Sequence, residues 1–309
     1  MKILISDKLQ EEGIKIFEDN GFEIVKKFTI NKEELKKEIG GYDGIVVRSR
    51  TKLTADILEN AKNLKVIGRA GVGLDNIDRK KADELNIEVL NTPEAPAVSV
   101  AEFALGLILT LARKISYADR TTHEAQWNKN ECLGYTLNGK KLGLVGFGNI
   151  AKHLAKITIA MGMNVGVYSR FSKGQIAIDE AKEIGCSIYS SIDDLLKDAQ
   201  VISLHLPSSP QTENIINEER ISLMRKDAVI INTARGNLID EKALLKALKN
   251  KSIAGAALDV YREEPLKDQE LIKFEENLIL TPHIASQSME NQIAAATMIA
   301  EKMSDFLKK

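Results

Sequence analysis

"KLGLVGFGNIAKHLAKI", residues 141–157, decides how the rest of the chain is read. The run up to Val145 has the short apolar character of a buried strand, and from Asn149 the apolar spacing turns helical. Gly146-Phe147-Gly148 lies between them. Gly146 permits a tight turn, and Gly148 lets the backbone approach a pyrophosphate whose charge would rest on the helix N-terminus. Ala151 takes a position where glycine is commoner, and one methyl group is tolerated there. With strand, turn and helix in the right order, the stretch is expected to open a dinucleotide-binding βαβ unit.

The next strand, "NVGVYSRFSK" (164–173), carries the cofactor signal. A carboxylate at its end would bond a ribose 2′-hydroxyl, but Ser169 stands there, followed by Arg170 and Lys173. A hydroxyl and a guanidinium would accept a 2′-phosphate that a carboxylate would repel, so the reading leans to NADP. NAD still fits if Arg170 only stacks on adenine.

Outward from this motif, short apolar runs alternate with helical patterns in both directions. "KILIS", "FEIVK", "GIVV", "LKVIG" and "IEVLN" read as strands of a first set, separated by "EEGIKIFEDN", "KEELKKEIG", "ADILENAKN" and "DRKKADEL" as helices. A second set begins afresh near Leu142 and runs through "VISLHL", "AVIIN", "IAGAALDV" and "LIL". Such alternation implies parallel sheets covered on both faces. The expected fold class is α/β, with two doubly wound parallel-sheet domains and a cleft between them. One is a Rossmann nucleotide-binding domain at 96–284; the other is a flavodoxin-like substrate domain. Pro93 and Pro96 mark one crossing between the sets and Pro282 a second. The amphipathic segment after residue 288 has no strand behind it and is expected to return to the first domain, which becomes discontinuous at 1–95 and 285–309.

Length and composition agree. The chain of 309 residues is long for one core. A net charge of −1 gives no electrostatic footprint for nucleic acid or an anionic membrane. No apolar run is long enough for a bilayer, and "MKILISDKLQ" reads as a strand start without a signal sequence, so a cytoplasmic location is expected. Cys132 and Cys186 are too few for a disulfide framework or a metal cluster, and no metal is expected. The apolar helical stretch at 97–115 suits burial between layers or a homodimer contact.

Ligands of open α/β sheets bind beyond the carboxyl ends of the strands. Three polar groups of the second set stand at such ends: Arg235 in "INTARGNLID", Asp259 to Glu264 in "ALDVYREEP", and His283 in "LILTPH". Oxidising a 2-hydroxy acid needs a base for the hydroxyl proton, a cation for the carboxylate and a nicotinamide to take the hydride. Imidazole exchanges protons near neutrality, and a carboxylate on its other nitrogen would fix its tautomer. Arginine offers a carboxylate a planar two-pronged fork.

Together with "VRSRTKLT" (47–54), "GRAGVGLDNID" (68–78), "NTPEAPAVSVAE" (91–102), "SLHLP" (203–207) and "TPHIAS" (281–286), these stretches make nearly the whole chain resemble the D-2-hydroxyacid dehydrogenase family, in its phosphoglycerate dehydrogenase branch. The resemblance implies Arg235 as substrate-binding and Glu264 with His283 as the acid–base pair. It places Asp259 near the nicotinamide carboxamide, and adds Asn149, Ile150, Leu206, Pro207, Thr233, Ala234 and Ala285 to the cofactor set. The backbone of Val72 and Gly73 would hold a substrate carboxylate, and Arg48, Ser49 and Arg50 a substrate phosphate. It implies oxidation of 3-phosphoglycerate to 3-phosphohydroxypyruvate, the entry to serine biosynthesis. Ser169-Arg170 resembles the NADP-using glyoxylate and hydroxypyruvate reductases instead, which are the alternative. From another class, corepressor-like proteins that sense NAD(H) share the fold and the three polar residues. With no segment after Lys309, feedback through a C-terminal regulatory domain is not expected.

Overall fold

A computed structural model describes residues 1–95, 97–169 and 175–309. The chain divides into two compact units, Met1–Ala97 with Ser286–Lys309, and Val98–Ala285. Pro96, one of the expected crossing points, lies outside the described residues.

In the first unit β1 (Lys2–Ile5), β2 (Glu23–Lys26), β3 (Gly44–Val47), β4 (Val66–Arg69) and β5 (Glu88–Asn91) form a parallel sheet in the order β2-β1-β3-β4-β5. Every residue of β3 is buried. A strand covered by helices on both faces needs apolar side chains on both, so "GIVV" reads as an unbroken run rather than an alternation. The terminal helix Met289–Leu307 closes one face of this sheet. Its contact with the helix Glu11–Asp19 is so close that a Cβ on Gly13 would stand 2.4 Å from the Ala296 carbonyl oxygen. At Gly68 of β4 a Cβ would stand 2.1 Å from the Met303 sulfur. Both glycines are there because the terminal helix leaves no room for a side chain.

The second unit holds β6 (Lys141–Val145), β7 (Asn164–Tyr168), β8 (Ser187–Ile188), β9 (Val201–Leu204), β10 (Val229–Asn232), β11 (Gly255–Leu258) and β12 (Leu278–Leu280). They form a second parallel sheet in the order β12-β11-β10-β9-β6-β7-β8. The order in which strands are added reverses once in each sheet, between β1 and β3 in the first unit and between β6 and β9 in the second. The loops at these switch points are where doubly wound folds bind ligands.

Two helices differ from the sequence reading. "ADILENAKN" forms only the turn Ala55–Leu58. After it, Asn60 and Ala61 donate three residues back, and the Asn60 side chain takes the Asp56 carbonyl at 2.8 Å. Such side-chain bonding by asparagine competes with helix propagation. The long apolar helix stops at Arg113, where Lys114 turns left-handed (φ 53°), and a separate helix runs Ile115–His123. No described helix is long and apolar enough to cross a membrane.

Candidate active site

The turn after β6 is built as its glycines require. Gly146 has φ 101°, and a Cβ there would stand 2.5 Å from the His205 carbonyl oxygen, so the turn lies flat against the end of β9. At Gly148 a Cβ would meet nothing within 4 Å. Neighbouring protein does not exclude a side chain at Gly148; the space is open for a ligand. Gly148 caps the helix Asn149–Ala160, whose first-turn amides have no partner within the helix. Gly148 and Asn149 are exposed, Ile150 is half-buried and Ala151 is fully buried against the sheet. Leu206 and Pro207 follow β9 on the other side of the switch point. The hydroxyl of buried Thr233, just beyond β10, has no hydrogen-bond partner among the described residues. An open phosphate cradle after β6 and an unsatisfied hydroxyl after β10, two strands away in the same sheet, fit a dinucleotide laid along the strand ends. Ser169 is half-buried one residue past β7. Arg170 and Lys173, on which the NADP lean rests, lie outside the described residues.

The strand ends on the other side of the same sheet hold the polar groups. Buried Asn232, the last residue of β10, accepts the Ala234 amide at 3.1 Å and donates to the Arg235 carbonyl at 2.9 Å. This fixes the loop from which Arg235 extends, and the guanidinium also donates from Nη1 to the Ala234 carbonyl at 2.6 Å. Beyond β12, His283 adopts φ 55°, an uncommon conformation for a residue with a side chain. Its Nδ1 lies 2.8 Å from Glu264 Oε2, and both side chains stay partly exposed. The other oxygen, Oε1, accepts the Tyr261 amide at 3.1 Å. Burial pushes the Glu264 carboxyl up, but the hydrogen bonds from His283 and Tyr261, with the charges of His283 and Arg235, hold it below the ordinary carboxylate range. An ionised carboxylate can only accept, so Nδ1 carries the proton and Nε2 is left with the lone pair. Arg235 is near enough to Glu264 to contribute to that lowering.

Asp259 follows directly on β11 as a buried anchor. It is fully buried, and its carboxylate accepts the Thr281 hydroxyl at 2.6 Å, the Ile284 amide at 2.9 Å and the Ala285 amide at 2.8 Å. Both oxygens thus bond the segment that carries His283. Ala285 is likewise a buried anchor, its carbonyl taking the Ser99 hydroxyl at 3.0 Å.

His205 has a neutral ring. Although part of the residue reaches solvent, burial of the imidazole pushes its pKa down to about 4, and the Ser203 hydroxyl stands 2.9 Å from Nε2.

In the first unit the expected anion ligands sit at adjacent strand ends, Arg48 to Arg50 after β3, and Val72 with Gly73 after β4. Gly71 turns the second loop with φ 144°, and the Asn91 side chain holds the Val72 carbonyl at 2.7 Å. Arg50 is bonded within its own unit. Its Nε donates to buried Asp7 at 3.0 Å, Nη2 to the Ser6 carbonyl at 2.6 Å and Nη1 to the Ile30 carbonyl at 3.2 Å. Asp7 also accepts the amides of Arg48 and Thr51 and the Thr51 hydroxyl. Arg50 thus braces the switch-point loop. Arg48 spends one side-chain bond on the Lys8 carbonyl at 3.4 Å, and burial lowers its pKa against the opposing charge of Asp7. Ser49 is exposed between them. Asp7, Asn232 and Tyr261 were not among the sequence candidates. Only a polar residue ending an apolar run, as in "KILISD" and "VIIN", could have pointed to the first two.

Residues 105–285 match the family model described as D-isomer specific 2-hydroxyacid dehydrogenase, NAD binding domain. The chain is 44% identical over 308 residues to the D-3-phosphoglycerate dehydrogenase of Methanocaldococcus jannaschii, with 100% of this chain and 58% of that protein covered. It is 42% identical over 307 residues to the hydroxypyruvate reductase of Thermotoga maritima, with 98% and 97% covered. A solved structure of an acyclic imino acid reductase in complex with NADPH and D-Arg superposes with a TM-score of 0.88 at 32% identity, covering 100% of this chain and 97% of that one. The chain spans little more than half the length of the D-3-phosphoglycerate dehydrogenases it matches.

Proposed function

Because the chain belongs to the D-isomer specific 2-hydroxyacid dehydrogenase family, we propose that it transfers a hydride between a nicotinamide dinucleotide and a D-2-hydroxy acid. The observation that carries this reading is the 2.8 Å bond between His283 Nδ1 and Glu264 Oε2, with Arg235 close enough to act on the same carboxylate. With Nδ1–H committed to Glu264, Nε2 takes the proton of the substrate hydroxyl in oxidation and returns it to the carbonyl oxygen in reduction. Arg235 binds the substrate carboxylate and steadies the oxygen where charge develops. The turn at Gly146 to Gly148, the first amides of the helix Asn149–Ala160, and Leu206, Pro207, Thr233 and Ala234 hold the cofactor. When bound, its nicotinamide supplies or accepts the hydride.

The substrate is 3-phosphoglycerate, in the direction of 3-phosphohydroxypyruvate. The relatives named D-3-phosphoglycerate dehydrogenase support this, as does Arg48 beside the Val72–Gly73 turn as an anion site of the first unit. Hydroxypyruvate or glyoxylate reduction is the alternative, favoured by the relative from Thermotoga maritima, which this chain covers almost end to end. NADP is supported by Ser169 in the place of a ribose-binding acid and by the NADPH-bound relative. Homodimerisation uses the second unit, where Val98, Ile115, Trp127 and Leu133 expose apolar surface, Trp127 to 85% and Leu133 to 82%. The helix Ala97–Arg113 and the segment after it supply that contact.

Steady-state absorbance of the nicotinamide tests the assignment, with 3-phosphoglycerate, hydroxypyruvate and glyoxylate each paired with NAD(H) and NADP(H). The highest specificity constant is expected for 3-phosphoglycerate. A higher one for hydroxypyruvate installs the alternative. No turnover on any of them, with tight cofactor binding retained, favours a dinucleotide sensor.

A further inference from the structure

Tyr261 lies between Asp259 and Glu264, and its bonds run to Glu264 and to the turn that carries His283. Its amide donates to Glu264 Oε1 at 3.1 Å. Its phenol, buried at the end of β11, lies 2.8 Å from the Thr281 carbonyl oxygen and 3.0 Å from the Leu258 carbonyl oxygen. The Thr281 oxygen also accepts the His283 amide at 3.1 Å. That bond closes a three-residue turn centred on Pro282, whose ring holds φ near about −65° and so suits an inverse γ-turn. One carbonyl oxygen therefore receives both the tyrosine hydroxyl and the amide of the histidine.

We propose that Tyr261 is a positioning residue that fixes Glu264 and His283 relative to each other. The proposal rests on the dehydrogenase reading of that pair. Each half of the arrangement matters. His283 holds its left-handed φ of 55° only if the turn before it is pinned, because relaxation toward negative φ would swing the imidazole away from Glu264. Asp259 pins the far side of the histidine through Ile284 and Ala285, and the Tyr261 hydroxyl pins the near side through Thr281. On its third side the Tyr261 backbone seats Gly236, where a Cβ would stand 1.9 Å from the Tyr261 carbonyl carbon. Gly236 adjoins Arg235, so one residue abuts all three segments that carry the proposed chemistry. Burial, then the charge of Asp259, push the phenol up to about 12, so it stays a hydrogen donor at any assay pH.

Tyr261→Phe keeps the ring and deletes the hydroxyl. The loss of one buried hydrogen bond to the turn is expected to lower kcat about tenfold, with the cofactor KM unchanged. The second readout needs no activity. Imidazole 15N shifts report the tautomer of His283, and only four histidines need assigning. Wild type is expected to show one tautomer protonated at Nδ1, and Tyr261→Phe a mixture. Thr281→Val, which removes the hydroxyl bond to Asp259, loosens the same turn from the other side and is expected to shift kcat and tautomer the same way. It serves if the tyrosine variant does not fold. A lower melting temperature with wild-type kcat and an unchanged tautomer overturns the proposal. Wild type inactive on every 2-hydroxy and 2-oxo acid defeats the dehydrogenase reading instead, and the tautomer comparison still decides whether Tyr261 positions the pair.

Discussion

Glu264 Oε2 stands 2.8 Å from His283 Nδ1, at the carboxyl ends of neighbouring strands β11 and β12. The carboxylate is held ionised below its ordinary range despite its burial, chiefly by the bonds from His283 and Tyr261. Glu264→Gln keeps the shape and removes the charge. It is expected to reduce kcat by about one to two orders of magnitude, short of the loss from removing the imidazole itself. Steady-state kinetics across pH 5–9 check this. Wild-type activity throughout in the glutamine variant would contradict it.

The same pair makes a stability prediction with a definite sign. A carboxyl whose folded pKa is depressed contributes stability that is fully present above its unfolded value, about 4.5, and lost as pH falls through the lower folded value. Denaturant midpoints of wild type and Glu264→Gln should therefore converge as pH drops below about 4.5. A constant difference from pH 7 to pH 3 would contradict this.

His205 gives the complementary case. Burial lowers its folded pKa from 6.5 to about 4, so between those values the unfolded chain binds a proton that the native protein refuses. Its contribution is intact above pH 6.5 and is lost progressively toward pH 4. His205→Asn should show a shallower fall in denaturant midpoint between pH 7 and pH 5 than wild type. Parallel curves would show that the ring takes up its proton as readily in the folded protein as in the unfolded chain.

Arg48 and Arg50 should separate cleanly. Arg50→Ala removes the guanidinium from buried Asp7 and should destabilise the first unit, by about 3 kcal/mol for breaking a buried pair, discounted because the arginine is half exposed. Arg48→Ala should leave the melting temperature nearly unchanged and raise KM for 3-phosphoglycerate much more than for glyoxylate, which has no phosphate. Calorimetry and kinetics on both variants check the pair. Equal KM effects on both substrates would remove Arg48 from phosphate binding.

Arg235→Lys keeps the charge and loses the planar fork. A charge-assisted bond is worth about 1.5–3 kcal/mol, so kcat/KM for any 2-hydroxy acid should fall by about 10- to 100-fold with cofactor binding intact. A lysine variant with wild-type kcat/KM would mean that the guanidinium does not touch substrate.

Much of this was legible in the residues, for reasons that differ by element. The inner strands of both sheets, such as β3, β9, β10 and β11, stand out as apolar runs because they are buried on both faces, and the Gly146 turn because its backbone requires glycine. Arg235, Glu264 and His283 were visible as polar groups at strand ends. What stayed hidden was pairing. Nothing in "VRSRT" tells that the Arg50 guanidinium bonds Asp7, 43 residues earlier, while that of Arg48 reaches the Lys8 carbonyl. Nor does "ALDV" show that the Asp259 oxygens bond amides 25 and 26 residues later. Tyr261 gave no signal, since its function depends on a carbonyl 20 residues away. The end of "ADILENAKN" as a helix was a local competition that periodicity does not register.

The central claim is that the His283 imidazole moves the substrate proton while Glu264 holds its tautomer. The most direct test is single-turnover hydride transfer for wild type and His283→Asn, with cofactor affinity measured in parallel by nicotinamide fluorescence. The account predicts a loss of about 10²- to 10⁴-fold in the rate for the variant, with unchanged cofactor affinity. Hydride transfer at the wild-type rate by His283→Asn would contradict it.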